Sequence, residues 1–182
     1  MDDTELARRL ASDLDGTFET LVRTHVDRCF SIALRLLADA SDAEEVAQDA
    51  LVRAYRALER YPAERIRELD LRAWLATITL NAARSRRRRQ ADRRPPLSLD
   101  AVGSESRSAG AQTVGSSLAS LVAGLPERYR APIVLRYVDD LTYSQIAQVL
   151  GRPEGTLKAQ VHRGLALLHA AHDAAEREEL SA

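Results

Sequence analysis

Apolar residues recur at helical spacing along most of the 182-residue chain. Phe18, Leu21, Val22, Val26, Phe30, Ala33, Leu34 and Leu37 fall on one stripe and predict a helix over 16–38. A second stripe follows, made of Ala43, Ala47, Ala50, Leu51, Ala54 and Leu58. Glu45, Gln48, Asp49, Val52, Arg53 and Arg56 lie away from it. Ser41-Asp42-Ala43-Glu44 matches the S-x-x-E capping box, which predicts a helix start at Ser41, and Pro62 is expected to end that helix. A charged stretch, 64–70, leads to a third helix over 71–90, with Trp74, Leu75, Ile78 and Ala82 inward.

The periodicity then stops. Pro95-Pro96 opens a stretch in which 97–117 holds six serines and three glycines, the composition of a flexible linker. Fully extended, those residues span about 70 Å. Beyond them Leu118, Leu121, Val122 and Leu125 predict a short helix. Pro126 suits the first turn of the next, which carries Ile133, Val134, Leu135 and Val138. Pro132 is expected to bend that helix or delay its start. Thr142-Tyr143-Ser144-Gln145 is a second capping box and Gly151 a turn. A last helix over 154–171 buries Leu157, Val161, Leu165 and Leu168, and the acidic tail after His172 is expected to fray. The expected fold is all-α: two small helical domains, 1–92 and 118–182, joined by a flexible linker, 93–117.

Composition narrows the class. With 45% hydrophobic and 29% charged residues the chain reads as globular rather than disordered. No window approaches the roughly 20 apolar residues of a membrane span, and the acidic start, Met1-Asp2-Asp3-Thr4-Glu5, does not read as a signal peptide. The single cysteine, Cys29, excludes an internal disulfide and a cysteine-based zinc cluster. These features predict a cytoplasmic protein without a metal or cofactor. Net charge is −1, yet 84–94 holds seven arginines against Asp92 alone. A basic block on an acidic body points to one anion-binding surface.

Three constellations carry candidate chemistry. The segment 142–168 has helix-turn-helix proportions, and Thr156, Lys158, Gln160, His162 and Arg163 lie off the buried stripe of its second helix. Cations there can hold phosphates or guanine edges, and Gln160 can pair an adenine edge. An ordinary helical hairpin with a polar face has the same pattern. The arginine block reads either as a solvated helix end suited to the dipole or as a phosphate-binding ridge. The acid-amide-arginine face of 42–55 is either solvated or a docking surface for a basic partner.

Asp42-Ala43-Glu44-Glu45-Val46-Ala47-Gln48-Asp49-Ala50-Leu51-Val52-Arg53-Ala54-Tyr55 resembles region 2.2 of bacterial RNA polymerase sigma factors of the extracytoplasmic-function subfamily. Trp74 to Asn81, followed by the arginines, is similar to regions 2.3 and 2.4. Leu125-Pro126-Glu127-Arg128-Tyr129-Arg130, Leu141 to Ala147 and Gly155-Thr156-Leu157-Lys158 resemble region 4. The resemblance implies a transcription-initiation subunit rather than an enzyme. Its implied partners are the polymerase core, through the clamp helices of the largest subunit and the flap, promoter DNA and an anti-sigma factor. Direct membrane contact is not implied. Core docking is implied for Asp42, Glu45, Gln48, Asp49 and Arg53. Minus-ten recognition and melting fall to Asn81, Arg84, Arg86, Arg87 and Arg88, with the 61–71 loop. Minus-thirty-five recognition falls to Arg152, Thr156, Lys158, Gln160, His162 and Arg163. Ser85 stands where the family usually has aspartate, Gln160 replaces a common arginine, and Gly164 replaces a common alanine and is expected to loosen its helix.

Three rivals exist. A stand-alone dimeric helix-turn-helix regulator would need neither the region 2.2-like face nor the tryptophan-asparagine-arginine helix. An enzyme would have only a sparse metal face, His169 and His172 beside Asp173. A polymerase adaptor that leaves DNA alone would have no use for the basic block.

Overall fold

The computed structural model describes residues 2–93 and 118–179. Every element among them is a helix. The front half comprises α1 (Asp3–Ser12), α2 (Leu14–Leu37), α3 (Ala40–Leu58), α4 (Ala63–Arg67) and α5 (Leu71–Arg93). The rear half comprises α6 (Leu118–Gly124), α7 (Glu127–Tyr137), α8 (Tyr143–Leu150) and α9 (Glu154–Glu179). The expected linker, 93–117, lies outside the described residues, except that Arg93 still belongs to α5.

Side-chain caps set most of the front boundaries. Asp2 accepts from Glu5 N and starts α1, a helix the periodicity did not announce because it is only ten residues long. Asp13 caps α2 through Gly16 N at 3.0 Å. The expected capping box at Ser41 does not form. Asp39 accepts from Asp42 N at 2.8 Å instead, so α3 starts before Ser41. Pro62 does not end α3, which stops at Leu58; it stands at the N-cap of the short α4. Asp70 accepts from Ala73 N at 3.1 Å at the head of α5.

In the rear half the box at Thr142 and Gln145 is present in both directions, at 3.2 and 2.8 Å. Gly151 takes the left-handed conformation at φ 62°, which lets the chain leave α8 and enter α9 without a side-chain penalty. One expectation fails here. Pro132 lies inside α7 without delaying it; the helix already starts at Glu127. The described part of the tail after His172 is helical, α9 continuing to Glu179.

Two apolar clusters hold these helices. One lies wholly in the front half and joins α1, α2, α3, α4 and α5 through Leu6, Leu21, Leu51, Ile66 and Leu75. The other starts in the front half at Ile32, Leu36, Val46 and Leu80. It runs without a break into Val122, Leu125, Leu135, Ile146 and Leu157 of the rear half. The halves therefore pack on each other, with α6 and α7 against α2 and α8 against α5. The stripe expected on α3 is buried at each of its six positions. Trp74 and Ile78 are only half-buried, at the edge of the first cluster.

Gly164 does more than loosen a helix. A Cβ there would stand 2.5 Å from Ile133 Cδ1 and 3.0 Å from Tyr129 Cβ, so its bare backbone permits the close crossing of α7 and α9. Gly164→Leu should destabilise the rear half by about 1–3 kcal/mol, the usual cost of overpacking. A thermal melt followed by circular dichroism reads it, and a melting temperature equal to or above that of the parent would refute the close crossing.

Candidate polymerase and nucleic-acid interface

The site residues fall into three groups on three helices. On α3, Glu45 and Gln48 are exposed, and Asp49 pairs with Arg53 one turn on, Arg53 Nη2 standing 2.7 Å from Asp49 Oδ2. Asp42 is different. It is buried, and its carboxylate accepts from Arg86 Nε at 2.9 Å and from the Gln90 amide. Arg86 also bonds Glu45. A residue expected to dock polymerase is thus tied to one expected to touch promoter DNA. The hydrogen bond to Asp42 raises the pKa of Arg86 further above its ordinary value, against the opposing effect of desolvation.

The arginines of α5 divide by environment. Arg84 Nε donates to Glu127 Oε1 of the rear half at 2.6 Å. Arg86 is committed to α3. Arg87, Arg88 and Arg89 are exposed, as is Asn81. Ser85, in the place of the family's aspartate, donates its hydroxyl to Asn81 O at 2.9 Å and so satisfies itself within its own helix. At the opposite end of α5, Arg65 lies over the Tyr61 ring at 3.7 Å, and the Tyr61 and Trp74 ring centroids are 6.2 Å apart. This aromatic and cationic group at the 61–71 loop is the kind of surface on which a displaced base stacks.

On α9 the off-stripe residues face outward. Thr156, Lys158, His162 and Arg163 are exposed. Arg152 and Gln160 are half-buried and bond each other at 3.2 Å, which positions both at the leading end of the helix. Lys158 stands 3.7 Å from Glu154 and 5.6 Å from the Tyr143 ring. These are loose contacts that a phosphate can replace. Among the described residues no three His, Cys, Asp or Glu side chains converge as a metal group would require, and His172 instead lies 3.4 Å from Glu176.

Sequence reasoning passed over the charges that join the halves. Arg28 of α2 bonds the carboxylate of Asp139, and Arg72 Nη2 donates to Asp139 O at 2.9 Å. Gln145 Nε2 donates to Asp70 Oδ2 at 2.6 Å. The only advance signal was Arg28 and Arg72 adjoining apolar stripes, where solvation is incomplete. Burial pushes the Asp139 carboxyl above its ordinary pKa, with Arg28 pulling the other way. Nearby His25 is lowered by burial, with Asp3 opposing, and the buried Cys29 thiol is raised by burial.

Comparison with known proteins agrees with this arrangement. Residues 21–93 match sigma-70 region 2 and residues 116–168 match sigma-70 region 4. The chain is 29% identical over 164 residues to the ECF RNA polymerase sigma factor SigW of Bacillus subtilis, covering 81% of this chain and 84% of that one. It is 28% identical over 175 residues to the ECF RNA polymerase sigma-E factor of Escherichia coli, covering 88% and 89%. Among solved structures it is similar to CnrH in complex with the cytosolic domain of CnrY. The TM-score is 0.69 and the identity 25%, over 94% of this chain and 97% of that one. It also shares the fold of the sigma factor RpoE in complex with the anti-sigma factor NepR from Bartonella quintana. There the TM-score is 0.65 and the identity 22%, over 84% and 94%.

Asp42→Ala should cost about 1–3 kcal/mol, because Arg86 and Gln90 lose a buried acceptor. It should be non-additive with Arg86→Ala, which removes the same contact. Urea unfolding of both single variants and the double variant checks this, and simple additivity would count against the bond as a structural tie. With region 2 ahead of region 4 in one helical chain and their faces so disposed, the chain belongs to the extracytoplasmic-function subfamily of sigma-70 RNA polymerase sigma factors.

Proposed function

We propose that this chain docks on core RNA polymerase through α3, directs it to specific promoters and initiates transcription. α5 and the 61–71 loop hold the melted minus-ten strand, and α9 reads the minus-thirty-five duplex. The observation that carries this reading is the exposure, on one chain, of a helix, α5, with an aromatic and cationic group at its start and a cationic far end, and of a capped helix-turn-helix. The first suits single-stranded nucleic acid and the second a major groove. Glu45, Gln48, Asp49 and Arg53 form the docking face, with Asp42 supporting it from beneath.

The work is done by binding. Docking and base capture favour the open duplex over the closed one, so the equilibrium shifts without covalent chemistry. Arg87, Arg88 and Arg89 guide the strand and release counterions. Arg152, Thr156, Lys158, Gln160, His162 and Arg163 contact the upstream element, with Gln160 and Arg163 reaching base edges. An anti-sigma factor is a further partner. Two proteins that share the fold, CnrH and RpoE, are each held in a complex, RpoE with an anti-sigma factor. No described helix is long and apolar enough to cross a membrane, and the chain acts where the polymerase is, in the cytoplasm.

Run-off transcription with purified core on genomic fragments tests the whole reading. Specific transcripts should appear only when the protein is added, and their absence would refute it. Arg87→Ala, Arg88→Ala and Arg89→Ala combined should abolish permanganate reactivity of minus-ten thymines while core binding persists. Undiminished reactivity would remove these arginines from strand capture. Asp49→Arg should lower recovery of the protein with core polymerase about tenfold or more, the effect of placing a repulsive charge in an interface. Equal recovery would overturn the α3 assignment.

A further inference from the structure

A side chain from the turn before α9 decides which way the Gln160 amide faces. Arg152 stands between the left-handed Gly151 and Pro153, and its own backbone N–H donates to Ala147 O at 3.2 Å. A residue before proline has few backbone choices, so the root of the Arg152 side chain is held in place. Its guanidinium runs along α9, and Nη1 donates to Gln160 Oε1 at 3.2 Å. A guanidinium carries donors only, and so does a carboxamide nitrogen. The oxygen of Gln160 therefore has to face Arg152. What remains of the amide for a ligand is its nitrogen.

We infer that Arg152 makes Gln160 a donor-only reader of the major groove, and that the base this pair selects is guanine rather than adenine. A glutamine holds adenine with both amide atoms, the oxygen accepting from N6 and the nitrogen donating to N7. With the oxygen committed to Arg152, the adenine amino group faces no acceptor. Guanine presents N7 and O6 side by side, both acceptors. They match in kind Gln160 Nε2 and a second N–H of Arg152. Thymine offers a single acceptor, O4, beside a methyl group. Arg152 is thus a positioning residue for Gln160 as well as a donor in its own right.

The neighbours on α9 point the same way. Thr156 lies one turn before Gln160 and Arg163 about one turn after, on the same side of the helix, and both are exposed. Of Arg152, Thr156, Gln160 and Arg163, the Thr156 hydroxyl alone is still able to accept. The carboxylate of Glu154 is 3.7 Å from Lys158, on the other flank of the Leu157 and Val161 stripe. An arginine at 160, common in the family, is donor-only by itself. Here two side chains together restore that pattern.

This assignment deepens the promoter reading of α9 and rests on it. The test is selection of upstream duplexes from a randomised library by the full chain bound to purified core polymerase. Wild type, Arg152→Ala and Gln160→Glu are run side by side. Both positions lie outside the apolar clusters, so helical circular dichroism should match the wild type. Gln160→Glu removes the donor and marks the base position that residue 160 reads. There the wild type should prefer guanine over adenine about tenfold, within the range of one good bidentate base contact. Arg152→Ala frees the amide oxygen, and the preference should reverse to adenine at that position alone. An arginine that only holds phosphate would instead weaken binding to all sequences alike when removed. That result overturns the proposal, as does adenine chosen by the wild type or a Gln160→Glu variant that alters no position. Selection of no upstream element by the wild type sinks the promoter reading of α9 and this assignment with it. A clear element whose bases are indifferent to Arg152 sinks the assignment alone.

Discussion

Helix α2 has to be covered on more than one side, and the arrangement of the chain follows from that. Leu21 and Cys29 belong to the front cluster, while Ile32, Ala33 and Leu36 belong to the cluster shared with the rear half. Those five follow one another along one face of a 24-residue helix, and partly buried Val26, Phe30 and Leu34 widen its apolar surface beyond what one neighbour can cover. α3 and α5 cover part of it and α1 closes another side. α6 and α7 take up the remainder at its C-terminal end. The rear half thus fills a place that the front half leaves open.

The charges follow the same geometry. Exposed pairs such as Asp49 with Arg53 cost little to break and contribute little when made. They suit a face that must exchange its partners for those of another protein. Buried or half-buried pairs behave differently, since removing one member strands the other. Asp42 with Arg86 ties α3 to α5, and so, in the proposed function, holds the docking face in place relative to the strand-guiding ridge. A force on one helix is felt at the other because they share a carboxylate. In the proposed function docking and melting are accordingly coupled through the α3–α5 contact.

Much of this was legible in the sequence, and the exceptions have physical causes. Long stripes were read correctly because the period persists over several turns; the α3 stripe and the Thr142 box are examples. Boundaries were read less well. Asp39 outcompeted Ser41 as a cap because it lies one turn ahead of the first free amides, and both residue types are good caps. α1 was passed over because ten residues hold too few repeats to stand out. Pro132 was expected to disturb α7, but only one acceptor, four residues back near the helix start, loses its donor there. The Gly164 contact was not readable, and the Asp139 clasp was signalled only by Arg28 and Arg72 adjoining apolar stripes. Each depends on which helix arrives opposite, over 30 residues away for Gly164 and Ile133 and over 100 for Arg28 and Asp139.

The arginine block shows why residue type alone could not assign roles. Seven arginines lie within 84–94. A guanidinium facing a carboxylate on another helix is a structural strut, and that is the position of Arg84 and Arg86. One facing water keeps condensed counterions available for exchange with phosphates, and that is the position of Arg87, Arg88 and Arg89. Arg84 belongs to either class depending on whether Glu127 is in reach.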